Sequence, residues 1–352
     1  EILEEEDSLF VHGYMSNAGY EDVREAVAQS LNRRFDTSFS QSNILMTVGA
    51  ASGLNVILKT LLNPGDEVIA FAPYFVEYGN YVRNYDGNLV VISPDTTDFE
   101  PNLAEFEQKI NEKTKAVIIN TPNNPTGVVY SLETLTKMAD IMRAKEKELG
   151  TTIVLLSDEP YRELAYDGVD VPYVTNVYDN TVICYSYSKS LSLPGERIGY
   201  LVIPDALKDS GEVFNAATIA NRVLGCVNAP SLIQRVIKRC IEKGAAVNLD
   251  AYDKNRNLLY NSLKNYGFEC IRPEGAFYLF VDVSGTYGKS YEGKEIHSAA
   301  DFAAILIAEK YVAVVPCADF GMPDYIRLSY ATDMEQIKKG MDRIEEMVKA
   351  LA

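Results

Sequence analysis

From residue 44 onward the chain alternates between two patterns of apolar and polar positions. Short runs rich in β-branched and aliphatic residues, at 44–48, 67–71, 89–92, 116–119, 153–157, 182–185 and 198–203, predict strands. Between them, 54–62, 103–110 and 132–149 repeat apolar residues three and four apart, the spacing that gives a helix one buried face. Nearly continuous apolar strands separated by such helices predict an α/β fold, a large domain with a mostly parallel seven-stranded sheet between helices. Asn63-Pro64-Gly65-Asp66 supplies a helix stop and a turn between two of these elements. Beyond about residue 236 the pattern changes. A long helical stretch, an apolar run at 275–283, a Gly-rich loop at 285–293, a helix near 300–310 and strands at 312–315 and 326–329 predict a smaller α+β C-terminal domain. The expected division is 12–235 for the large domain and 236–352 for the small one, with 1–11 joining the latter. No internal repeat or low-complexity tract interrupts the pattern.

Composition narrows the range of functions. A chain of 352 residues that is 47% hydrophobic and 24% charged can bury a core of about two domains. Its net charge of -17 disfavours nucleic acid, whose phosphates are bound by clustered Lys and Arg. No apolar run approaches the roughly 20 residues of a membrane-spanning helix, so no membrane partner is expected. Cys184, Cys226, Cys240, Cys270 and Cys317 are scattered without C-x-x-C spacing, which argues against a disulfide framework and fits a reducing cytoplasm. His12 and His297 have no second nitrogen ligand or nucleophile nearby in sequence, so neither a metal site nor a Ser-His triad is expected. The sequence opens on Glu1 and the charge run Glu4-Glu5-Glu6-Asp7 without a signal-like segment.

Four short segments stand at strand ends or loops, where α/β sheets bind ligands. Ser186-Tyr187-Ser188-Lys189 follows an apolar strand and precedes Pro194-Gly195-Glu196-Arg197. A lysine there is costly when charged, and a lysine of depressed pKa is the kind that bonds an aldehyde cofactor. Hydroxyls and a forked guanidinium beside it suit a phosphate ester. A lone lysine at a strand end is otherwise an ordinary surface residue. Asp158-Glu159-Pro160-Tyr161 ends another strand; a carboxylate there can pair with a protonated pyridine nitrogen, or simply cap the next segment. Asn120-Thr121-Pro122-Asn123-Asn124-Pro125-Thr126-Gly127 has plain turn chemistry. Gly49-Ala50-Ala51-Ser52 joins a strand to a helix through small residues, which expose backbone N–H groups to an anion or merely allow a tight turn.

In this order and spacing the segments resemble the fold-type I, class I/II aminotransferases of the aspartate aminotransferase superfamily. The resemblance runs from Gly13-Tyr14 and Val23-Arg24-Glu25-Ala26 through the four segments to Arg327-Leu328-Ser329-Tyr330. It implies pyridoxal 5'-phosphate (PLP) as cofactor, with Lys189 bonding its aldehyde, Asp158 on the pyridine nitrogen, and Asn124 and Tyr161 on the phenolate oxygen. Ser186, Ser188, Arg197 and the backbone of Ala50 and Ala51 would hold the phosphate, and Phe75 would stack on the ring. Arg327 would grip the substrate α-carboxylate, and Tyr14 would reach the neighbouring subunit's phosphate in a homodimer with shared active sites. By the same resemblance the Asn124–Pro125 peptide is expected to be cis. Arg222, shortly before Asn228-Ala229-Pro230, resembles an arginine that crosses the dimer interface to a distal substrate carboxylate, with an exposed helical arginine as the plain alternative. In the family an N-terminal arm and a Gly-containing substrate loop precede the point matching Glu1, so part of a natural N-terminus is expected upstream, and a chain without the arm is expected to be less active and to dimerise less tightly. The implied activity is ping-pong amino transfer from an L-amino acid, aspartate or glutamate if Arg222 acts, to a 2-oxo acid. The same pocket also admits a β-eliminating C–S lyase or a non-catalytic ligand-sensing domain.

Overall fold

The computed structural model describes residues 1–352. Seven strands, β1 (Ile44–Thr47), β2 (Glu67–Phe71), β3 (Asn88–Ile92), β4 (Thr114–Asn120), β5 (Val154–Asp158), β6 (Thr181–Ser186) and β7 (Gly199–Val202), form one sheet in the order β1-β7-β6-β5-β4-β2-β3. Every pairing is parallel except those of β7, which runs antiparallel to both neighbours. The expected mostly parallel seven-stranded sheet is therefore present.

Strand alternation loads two cores at once. Ile44, Met46, Val117, Ile119 and Leu155 face one side, against Val27 and Leu31 of the helix Glu21–Phe35 and Leu135, Met138 and Met142 of the helix Leu132–Leu149. Leu45, Ala116, Ile118, Val154 and Leu156 face the other, against Leu54 and Ile57 of the helix Ala50–Leu61 and Ala217 of the helix Ser210–Val223. Side chains buried on both faces explain why these strands read as continuous apolar runs. Local signals bound the helices: Ser131 accepts from the Thr134 N–H at the start of Leu132–Leu149, and Gly150, at φ 68°, closes it in the left-handed region.

Strands β8 (Glu269–Cys270), β9 (Tyr278–Asp282), a two-residue hairpin β10 (Ser290–Tyr291) and β11 (Lys294–Glu295), β12 (Val315–Pro316) and β13 (Tyr325–Ser329) belong to the C-terminal part. Its main sheet is antiparallel, in the order β12-β13-β9-β8, and shares a third core with the helices Leu249–Asn265, Ala299–Lys310 and Met334–Lys349. The strand expected at 312–315 is only Val315–Pro316, because the chain ahead of it turns out of the helix through Tyr311 at φ 55° and Val312 N–H bonds back to Leu306. The expected domain boundary at 235/236 falls inside the helix Ser231–Glu242, whose Ile237 packs in the large-sheet core. Residues 1–11 are tied to that helix, on both sides of the expected boundary. Arg235 bonds Glu6 at 2.7 Å, Arg239 bonds Glu5, and Ser231 Oγ donates to the Val11 carbonyl.

The sheet register positions the site. Asn120 ends β4 beside Asp158 at the end of β5, and Ser186 ends β6 beside Gly199 of β7. Three polar residues thus stand together at the carboxyl rim of apolar strands.

Candidate active site

A cavity of about 310 Å³ opens over that rim, lined among others by Ala50, Ala51, Phe75, Asn120, Asn124, Asp158, Tyr161, Ser186, Ser188, Lys189, Arg197, Tyr278 and Arg327. Eleven of the thirteen residues that carry the expected site line it; Tyr14 and Arg222 do not.

Asp158 forms its floor. One carboxylate oxygen, Oδ2, accepts from the Tyr78 hydroxyl at 2.7 Å, while Oδ1 is buried with no partner. Burial pushes the carboxyl up to about 7; the Tyr78 bond opposes this and the neighbouring Glu159 charge adds to it. A buried carboxylate oxygen without a donor is costly, so Oδ1 is a place for an N–H or a cation. Asn120 fixes the strand end by donating from Nδ2 to the Asp158 carbonyl at 2.8 Å.

Lys189 projects from a single helical turn, Tyr187–Ser190, that begins where Ser186 Oγ accepts from the Ser188 N–H. Its Nζ lies 5.1 Å from the Phe277 ring centroid and 5.8 Å from that of Tyr161, and it has no carboxylate partner. Burial first, then the charges of Arg197 and Arg327, hold its pKa below the usual lysine value. A larger share of neutral amine follows.

One end of the cavity gathers groups that can hold an anion. The helix Ala50–Leu61 starts after Gly49 with no side-chain cap, which leaves its first N–H groups available. Arg197 is held by the carbonyls of Pro194 (2.9 Å) and Val48 (3.4 Å), and the Ser186 and Ser188 hydroxyls are 2.7 Å apart. Two glycines make this approach possible. A Cβ on Gly49, at φ +85°, would lie 2.9 Å from Arg197 Nη2, and one on Gly199 would lie 2.2 Å from the Tyr185 carbonyl oxygen.

The other end carries Arg327, which donates from Nη1 to Asn124 Oδ1 at 2.6 Å and sits over the rings of Tyr278 (4.3 Å) and Phe320 (5.0 Å). Asn124 is turned into the cavity by this bond and by its N–H donating to Asn120 Oδ1 at 2.7 Å. The Asn124–Pro125 peptide, expected cis, is trans; the cis bonds are Ala72–Pro73 and Thr121–Pro122. The hydrogen bonds at either end of Asn124 hold it in place across the trans bond. Tyr161 is buried, its hydroxyl 3.1 Å from that of Tyr278, and Phe75 meets Tyr78 edge to face at 5.7 Å.

Tyr14 is 94% exposed, and Arg222, also exposed, donates to Asn17 Oδ1 at 3.1 Å. Sequence reasoning passed over Tyr78, Asn120 and Tyr278. Asn120 carried a signal, a polar residue closing an apolar strand, whereas Tyr78 and Tyr278 meet the site only through tertiary packing. A larger cavity of about 550 Å³ lies between the helix Glu21–Phe35 and Tyr185, Tyr187 and Tyr200. Its carboxylate, Glu163, is already bonded to Arg34 (2.7 Å) and Tyr185 (2.8 Å), whereas the unpartnered Asp158 Oδ1 and Lys189 line the smaller one.

Other proteins share this fold. A solved amino transferase from Eubacterium rectale superposes with a TM-score of 0.92 at 43% identity, covering 99% of this chain and 84% of that one. An aspartate aminotransferase of Thermotoga maritima is 32% identical over 341 residues, 96% of this chain and 84% of its own. An aromatic aminotransferase from Pyrococcus horikoshii superposes with a TM-score of 0.87 at 26% identity, over 96% of this chain and 88% of that one. The family model for aminotransferase class I and II matches residues 3–344. On this match over nearly its whole length, this chain belongs to the class I and II aminotransferases, and is a transferase enzyme.

Proposed function

We propose that the protein is a PLP-dependent aminotransferase that moves an amino group from an L-amino acid to a 2-oxo acid by a ping-pong route. The observation that carries the reading is the convergence of Lys189 Nζ and the unpartnered Asp158 Oδ1 in one cavity between an anion-binding end and Arg327. These residues fit PLP: Oδ1 requires a donor such as a pyridinium N–H, and the space kept open by Gly49 beside Arg197 suits a phosphate. Ser186, Ser188, Arg197 and the N–H groups of Ala50 and Ala51 would hold that phosphate. Tyr161 and Asn124 Nδ2 would donate to the phenolate oxygen, and Phe75 would pack on the ring. When bound, PLP supplies an aldehyde that bonds amines and a protonated ring that accepts electron density from the amine's α-carbon.

The chain's own groups do the rest. Arg327, packed against two rings and bonded to Asn124, is pre-organised to grip the substrate α-carboxylate. Lys189 Nζ, with its lowered pKa, would take the proton from the substrate α-carbon and hold it for the return step. Asp158, buried and fixed by Tyr78, keeps a proton on the group it faces. Incubating the protein with a panel of amino acids and 2-oxoglutarate, with and without PLP, tests the reading. Sustained keto acid formation that needs the acceptor, with at most one equivalent per site released without it, supports it, and continued release of keto acid or pyruvate without an acceptor would favour elimination instead.

A homodimer with shared active sites belongs to the same proposal. Exposed Tyr14, Ile219 and Val223 support it, as surface apolar groups seeking cover, and Tyr14 would then reach the partner's phosphate. Arg222 would project into the partner's site and select aspartate or glutamate. Arg222→Ala should then lower kcat/KM for aspartate far more than for alanine, and equal losses would remove the dicarboxylate assignment. No helix is long and apolar enough to cross a membrane. A cytoplasmic location remains part of the proposal, resting on the scattered cysteines.

A further inference from the structure

Tyr278 opens β9 in the C-terminal sheet, paired in register with Ser329 of β13, two residues beyond Arg327. Its side chain makes two contacts of different kinds. The hydroxyl lies 3.1 Å from the Tyr161 hydroxyl, on the loop that follows β5 in the large domain. The ring face carries the Arg327 guanidinium at 4.3 Å. One residue therefore touches both the tyrosine that faces the cofactor end and the arginine that faces the carboxylate end. We propose that Tyr278 is a positioning residue that couples the two ends of the site, its hydroxyl holding the Tyr161 hydroxyl and its ring seating Arg327. The inference rests on the PLP reading and deepens it.

The chemistry of the two contacts separates them. Two hydroxyls at this distance share one proton between them. If Tyr161 spends its own proton on the cofactor's phenolate oxygen, the shared proton comes from Tyr278, which polarises Tyr161 and makes it the better donor. The ring contact is a cation–π interaction in a half-buried place, where the guanidinium is poorly hydrated and the attraction is felt. Phe320 backs the same guanidinium, so loss of the Tyr278 ring loosens Arg327 without freeing it. The contacts join the large-domain loop to the C-terminal sheet, so a carboxylate drawn onto Arg327 also bears on Tyr161.

Two variants of the PLP-loaded protein test the proposal. Tyr278→Phe keeps the ring and removes the hydroxyl, whereas Tyr278→Leu removes both. With a weaker Tyr161 donor the phenolate is less stabilised and its conjugated imine nitrogen binds a proton more tightly. The pH midpoint of the bound cofactor's visible absorbance should therefore rise by about half a unit in Tyr278→Phe. KM for the amino acid should stay within about twofold in that variant and rise about tenfold in Tyr278→Leu, since only the second loses the ring beneath Arg327. An unshifted midpoint in Tyr278→Phe, or equal KM values in the two variants, overturns the proposal. If the unmodified protein binds no PLP, the PLP reading itself fails and the proposal fails with it. A normal cofactor band with unmoved variants rejects the role of Tyr278 alone. Tyr278→Phe preserves the packing of β9, so its midpoint is a readout that a merely structural role would leave in place.

Discussion

Replacing Asp158 by Asn should make the cofactor-free protein more stable at neutral pH while impairing cofactor binding. In the folded chain burial raises this carboxyl to about 7 from an ordinary 3.8. The unfolded chain gives up the proton first, so the folded state holds more protons between these values and loses stability as pH rises through them. The cost is near zero below the ordinary value, about 2 kcal/mol at pH 5 and about 4 kcal/mol at pH 8. Asn keeps an acceptor for the Tyr78 hydroxyl and carries no charge, so it removes the pH-dependent cost with little change in packing. Denaturant unfolding of PLP-free wild type and Asp158→Asn at pH 5 and pH 8 reads the effect. The stability gained by the variant should be about 2 to 3 kcal/mol larger at pH 8 than at pH 5. Adding PLP should reverse the order at pH 8, because a pyridinium facing Oδ1 stabilises the charged carboxylate and does nothing for the amide. A gain that is the same at both pH values would refute the reasoning.

Other outcomes follow from the same geometry. Tyr78→Phe strips the only donor from Asp158, so its carboxyl should titrate higher still and PLP affinity should fall about tenfold, read by absorbance titration. Arg197→Lys keeps a charge but loses the planar fork, and should weaken PLP binding by about ten- to a hundredfold, with kcat of the saturated enzyme much less affected. Gly199→Ala would set a Cβ 2.2 Å from a backbone oxygen of β6, and should lower stability by about 3 kcal/mol or more, seen as a depressed melting temperature. An unchanged melt would mean that β6 and β7 can separate at little cost.

Much of the fold was legible because the strands are buried on both faces. The apolar runs at 67–71 and 116–119 sit inside β2 and β4 almost residue for residue, and the helix at 132–149 matches its observed limits. The C-terminal part was less legible where hydrogen bonds, and not apolar pattern, decide the path. Tyr311 in the left-handed region shortens the strand expected from 312, and ion pairs to Arg235 and Arg239 draw the first residues onto a helix that no local pattern assigns to either domain. At the site, Lys189 and Asp158 were visible as polar residues out of place at the ends of apolar strands, and Arg197 as a forked cation close behind Lys189. Tyr278 and Tyr78 were not, since each reads as a core aromatic until the packing brings its hydroxyl to Tyr161 or to Asp158. Asn124 lines the cavity, but the cis peptide expected after it is trans, and two hydrogen bonds that no local pattern reveals hold it there.

The central claim is that Lys189 is the amine that carries PLP. Mixing the protein with PLP, reducing with borohydride and mapping the added mass by peptide mass spectrometry tests it directly. The account predicts modification of the peptide containing Lys189, and its loss together with turnover in Lys189→Ala; modification at another lysine, or a Lys189→Ala protein that still traps PLP and turns over substrate, would contradict it.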